Sequence, residues 1–129
     1  MCLIIDKKIH ESFKSRVTLT PITVYKVLQK TRNGYQTPYR YKEINFIDGQ
    51  CVLKSKLVKD DKYTVGKGIH ACTTILAAYQ VINAMKFVGM PHAVIVKAII
   101  PKFSNYFIGE RCEIASNKMV ITDEIIKSV

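Results

Sequence analysis

The stretch best suited to chemistry is Gly68-Ile69-His70-Ala71-Cys72-Thr73-Thr74, which runs straight into the apolar segment Ile75 to Val88. It reads as a glycine-flanked loop that sets a histidine beside a helix N-terminus. Imidazole can donate from one nitrogen and accept at the other near neutral pH, so His70 in such a loop can hold a ligand. The free amides and the dipole of the following helix favour an anion there. Gly68, His70, Thr73 and Thr74, together with Tyr25, are therefore the candidate ligand contacts. The competing reading makes His70 a strand-end residue whose ring is satisfied by a backbone carbonyl.

A second candidate is Cys2. Removal of Met1 would place its thiol beside a free amine that can act as its base. Its neighbours are Leu3-Ile4-Ile5, which favours burial in a strand instead. A third is a basic and aromatic surface, in which Tyr25, Tyr35, Tyr39 and Tyr41 interleave with Lys26, Lys30, Arg32, Arg40 and Lys42. Rings stack on bases and cations pair with phosphates, so those five cations are the candidate nucleic-acid contacts. The plain alternative is a solvated hairpin whose tyrosines pack across strands. Acids are sparse. Glu110 and Glu113 flank Arg111 and Cys112, and neither they nor Asp123-Glu124 have a histidine at metal-ligand spacing. Gly66-Lys67-Gly68 lacks the Lys-Ser/Thr of a phosphate loop. The pattern calls for no metal, no cofactor and no catalytic residue.

These residues need elements to position them. Leu3-Ile4-Ile5 reads as a short strand, and residues 6–21 as loop with at most a helical turn. Thr23 to Lys30 is β-branched and aromatic, which suits a strand. Asn33-Gly34 then signals a type I′ hairpin turn. The return strand, Tyr35 to Phe46, contains Pro38, which places it at an edge or bends it. Asp48-Gly49 marks a second turn, and Gln50 to Val58 a third strand with Cys51, Leu53 and Leu57 on one face. Lys59 to Lys67 reads as polar loop. A helix over about 73–88 follows, capped by Thr73 or Thr74 and ended by Gly89 and Pro91. Its polar stripe is only Gln80, Asn83 and Lys86, so it must lie on a sheet and be largely covered. Ala93 to Ile100 is nearly unbroken apolar sequence, as in a central strand covered on both faces. Asn105 to Ile108 and Lys118 to Thr122 read as further strands, and Asp123 to Val129 as a last helical turn. The expected class is α+β, a mostly antiparallel sheet or meander with one main helix packed on it.

The totals narrow the functions. A length of 129 residues predicts a single compact domain over 1–129, and 48% apolar residues suffice for a core. The longest apolar runs are too short to span a bilayer, and the N-terminus lacks the basic region of a signal peptide. A soluble, cytoplasmic protein with no membrane partner is expected. Cys2, Cys51, Cys72 and Cys112 lie far apart, without the paired spacing of a zinc site, and read as reduced, mostly buried thiols. The net charge of +10 is uneven, since residues 1–64 carry thirteen bases against six acids and the remainder seven against four. Attraction to polyanions should therefore lean on the first half.

Several segments in order resemble a family of small proteins from Bacteroides-type gut bacteria and their phages. They are Met1-Cys2-Leu3, Ile22 to Leu28, Thr37-Pro38-Tyr39, Gly68-Ile69-His70-Ala71, Ile100-Pro101-Lys102 and Tyr106-Phe107-Ile108-Gly109. The resemblance brings no assigned activity and so no catalytic residues. A weaker similarity is to a reduced ADP-ribosyltransferase-like core, carried by Gly68-Ile69-His70-Ala71 leading into a helix. In that family a late strand carries a catalytic glutamate; the corresponding stretch here is Ser116-Asn117-Lys118-Met119, without it. Three readings result: a non-enzymatic binding module for an anionic small molecule or a protein partner, a nucleotide-binding enzyme of ADP-ribosyl-transfer type, intact or degenerate, and a basic nucleic-acid-binding protein.

Overall fold

The computed structural model describes residues 3–32, 34–38, 42–87, 89 and 92–128, the side chains of Lys127 and Ser128 excepted. In chain order the strands are β1 (Leu3–Ile4), β2 (Arg16–Val17), β3 (Ile22–Thr31), β4 (Gly34–Gln36), β5 (Glu43–Ile44), β6 (Gln50–Lys54), β7 (Val58–Lys59), β8 (Thr64–Lys67), β9 (Ile69–Cys72), β10 (Ala93–Ile100), β11 (Asn105–Ile108), β12 (Glu113–Ser116) and β13 (Lys118–Ser128). One helix, α1 (Ile75–Phe87), lies between β9 and β10, and a single 3₁₀ turn spans Glu11–Phe13. Every strand pairing is antiparallel, which with the one helix makes the class α+β. The large sheet runs β2-β11-β12-β9-β3-β10-β13-β6, with β4 and β5 attached to β3, and a small sheet runs β1-β8-β7.

The apolar run Ala93 to Ile100 forms the central strand, bonded to β3 on one side and β13 on the other. Strand residues alternate between faces. Val94, Val96, Ala98 and Ile100 join Val24, Leu28, Leu53, Ile114 and Ile121 in the main core, to which eight strands of the large sheet contribute. Ala93 and Ile95, with Val27 and Cys72, pack instead under Ala77, Ala78, Ile82 and Met85 of α1. The helix is covered on that side only. Leu76 remains 70% exposed and Phe87 93% exposed, so the expectation of a largely covered helix is corrected. No described helix is long and apolar enough to cross a membrane.

The helix ends follow their signals. The Thr74 hydroxyl accepts a hydrogen bond from the Ala77 N–H at 3.1 Å, so Thr74 is the N-cap. Gly89 takes a left-handed φ of +85° and donates to the Lys86 carbonyl. Pro91 and Asn33 lie outside the described residues. Thr74→Ala should lower stability by about 1 kcal/mol, the usual cost of a lost cap, read by urea denaturation.

Several local expectations are corrected. Thr31 pairs with Gly34, so Gly34 is already in the ladder rather than in a turn. The return strand is two short strands, β4 and β5, which pair with each other around Pro38. The Asp48-Gly49 turn has φ of +52° and +78°, the positive pair that a type I′ turn requires. Beyond it β6 leaves the meander and pairs with β13. Leu57 packs with Leu3, Ile5 and Phe107 rather than with Leu53. The Lys59 to Lys67 loop contains β8, and residues 123–128 continue β13 instead of forming a helical turn. Cys72 is buried and Cys51 half-buried, but Cys112 is exposed; Cys2 lies outside the described residues.

Candidate functional site

The large sheet forks beside His70. One edge of β3 is bonded to β10 along its length. On the other edge Tyr25 pairs with Cys72 of β9, whereas Gln29, Lys30 and Thr31 pair with β4. Among the described residues, no strand pairs with Lys26, Val27 and Leu28 on that edge, and β9 and β4 diverge there. The opening is a cleft of about 260 Å³. Its walls are the Gly66–Cys72 segment and Thr37, Pro38 and Lys42 from the β4–β5 hairpin. Leu53, Lys54 and Ser55, Val81 of α1 and Glu113 of β12 complete it.

His70 is a strand residue and not part of a loop. It lies in β9 opposite Ala115 of β12, which corrects the loop expectation. Gly68 is the residue that permits this entry to the strand. Its φ is +157°, and a Cβ there would meet the Leu57 Cδ1 at 2.8 Å. Of the predicted ligand contacts, Gly68 and His70 line the cleft. Thr73, Thr74 and Tyr25 do not. Thr74 caps α1, Thr73 bonds the Cys112 carbonyl through both its N–H and its hydroxyl, and Tyr25 packs at the edge of the helix-side core. The helix N-terminus therefore does not line this cleft.

The expected nucleic-acid surface is divided in the same way. Lys30, Arg32 and Lys42 are exposed, and Arg40 lies outside the described residues. Lys26 leaves that surface for the cleft, where its Nζ donates to the His70 carbonyl oxygen. Its ammonium is desolvated, which brings its pKa down to about 8, with only the Cys72 thiol working against the shift. Burial pushes the Cys72 thiol up to about 11 and raises the Glu113 carboxyl, which Arg111 partly offsets.

Among the described residues, the cleft thus gathers three lysines, at 26, 42 and 54, around a single carboxylate at 113. Comparison with family models, with curated proteins and with solved structures gives no match.

Lys26 is the residue that sequence reasoning misplaced, and a signal for it exists. Period-two alternation puts it in phase with Val24 and Leu28, both fully buried. Glu113, Lys54 and Ser55 carry no local signal, because they reach the cleft only through sheet pairing.

Proposed function

We propose that this protein is a non-enzymatic binding module that holds a small anionic ligand in the cleft at the sheet fork. The observation that carries the reading is Lys26. A buried ammonium is costly unless paired, and Glu113, the only carboxylate among the described residues that line its cleft, is opposed by three lysines. A phosphate or carboxylate would supply the missing charge and gain a strong charge-assisted hydrogen bond. A volume of about 260 Å³ lies just below the roughly 300–1,000 Å³ usual for small-molecule pockets, which suits a compact anion rather than a dinucleotide. The size also weighs against the ADP-ribosyl-transfer reading, as does the stretch Ser116-Asn117-Lys118-Met119 where that family has its glutamate.

The test is thermal stability against inorganic phosphate, small dicarboxylates and nucleoside monophosphates, with neutral sugars as controls. A ligand at a hundred times its dissociation constant should stabilise by about 2.7 kcal/mol. Equal response to neutral and anionic compounds, or response to none, would sink the reading.

A further inference from the structure

We infer that a second surface, which shares Lys54 and Ser55 with the fork cleft, binds single-stranded nucleic acid: the groove between the Glu11–Phe13 turn and the segment linking β6 to β7. This groove has a volume of about 1290 Å³. Its lining includes Lys14, Lys54, Lys56, Lys59 and Lys118 and no carboxylate. Glu11, Asp60 and Asp61 stand on the flanking turns but not in the lining. Lys118 and Lys54 sit directly opposite each other across β13 and β6. Like charges in that position repel, so the free protein holds an unfavourable pair that a polyanion would relieve.

An aromatic platform adjoins the cations. Phe13 lines the groove and meets the exposed Tyr63 edge-on at 4.9 Å. The Lys62 Nζ stands 5.7 Å from each ring, and Lys59 donates to the Phe13 carbonyl at 3.0 Å. Phe13 is half-buried against the Leu3 core cluster and Tyr63 is exposed. Spaced cations beside such a ring are what an unpaired strand needs, with phosphates on the lysines and a base stacked on Tyr63. A phospholipid headgroup or an acidic peptide would use the charges and leave the rings idle. Duplex DNA would hide its base faces. The surface is distinct from the hairpin carrying Lys30 and Arg32, and it does not depend on the ligand of the fork cleft.

The experiment is fluorescence anisotropy of a labelled oligothymidylate, roughly twelve nucleotides long and so within the site sizes of single-strand binders, titrated with the full chain at several salt concentrations. If four or five phosphates are neutralised, the logarithm of affinity should fall against the logarithm of salt with a slope of about −3. The Lys56→Glu, Lys118→Glu pair should weaken binding by at least about tenfold and flatten that slope. A Lys30→Glu, Arg32→Glu pair makes the same change of net charge on the hairpin and should leave affinity nearly unchanged. Lys54 and Ser55 are kept, because they line both cavities. Melting curves confirm folding first; if Lys118→Glu disturbs β13, Lys14→Glu with Lys56→Glu replaces it, since both residues lie outside strands. Equal loss from the hairpin pair, affinity indifferent to salt, no binding at all, or dextran sulfate competing as well as the oligonucleotide at equal charge would each overturn the assignment.

Discussion

Lys26→Met should abolish stabilisation by phosphate and small carboxylates at pH 7 and should reshape the pH dependence of folding. The two effects share one cause. Methionine keeps the length of the side chain but removes the ammonium that faces the fork cleft. The lysine's pKa falls from 10.5 unfolded to about 8 folded. Between those values the unfolded chain binds the extra proton, so parent stability rises as pH rises through this window. The full difference is on the order of 3 kcal/mol. Cys72 acts in the opposite direction, since its thiol rises from 9.0 to about 11 and the folded state then holds the extra proton. Its contribution therefore declines from pH 9 upward. The parent should gain stability from pH 8 to 9 and then level off, as the two groups offset each other. Lys26→Met should show no gain below pH 9 and a decline above it. Urea denaturation at half-unit pH steps reads this directly. Parallel curves for the two proteins would show that Lys26 is not desolvated, and unchanged stabilisation by phosphate would remove it from the ligand site.

His10→Ala should cost about 3 kcal/mol at neutral pH, because it removes the partner of the Ile108 N–H and of the Lys14 carbonyl and opens a void. The ring is 1% exposed. Its Nε2 accepts from the Ile108 N–H at 2.7 Å, and its Nδ1 lies 2.9 Å from the Lys14 carbonyl oxygen. An amide N–H can only donate, so Nε2 carries no proton and Nδ1–H is the donor. The ring also packs on Phe107 at 5.2 Å between centroids. His10 thus bolts the N-terminal turn to β11. Desolvation is the main cause that lowers its pKa from 6.5. The unfolded chain then takes up the proton first, so stability is lost as pH falls below about 6.5, by up to about 1.4 kcal/mol per pH unit. His10→Gln offers one acceptor and one donor and does not titrate. It should recover part of the stability at pH 7 and remove the acid-dependent loss. Chemical denaturation at pH 7 and pH 5 decides the matter: the same loss on acidification in parent and glutamine variant would assign it to other groups.

Most of the fold was legible where one signal was strong and local. β3 and β10 followed from runs of β-branched residues, and α1 from a cap, an apolar stretch and a stop glycine. The errors share a physical origin. Asp123 to Val129 reads as a helical turn, and pairing with β10 makes residues 123–128 part of a strand. β12 is four residues placed between β9 and β11, and nothing in Glu113-Ile114-Ala115-Ser116 announces those neighbours. The candidate site divides on the same line. Gly68 and His70, singled out from the sequence, line the fork cleft, which the β4–β5 hairpin walls on the other side. The helix-end threonines were taken for ligand groups, but their hydroxyls are used in capping and cross-strand bonds.

By itself, then, the sequence determined the class, an antiparallel sheet with one helix, together with the position of that helix and the basic character of the surface. These depend on periodicity, turn chemistry and charge, which act over a few residues or by summation. Only the tertiary structure decided that Lys30, in the same strand phase as Lys26, stays exposed while Lys26 lines a cleft, that β6 pairs with β13, and that Lys54 and Lys118 face each other. Those facts depend on register between segments many residues apart, where one strand's neighbour sets which face is core and which is solvent.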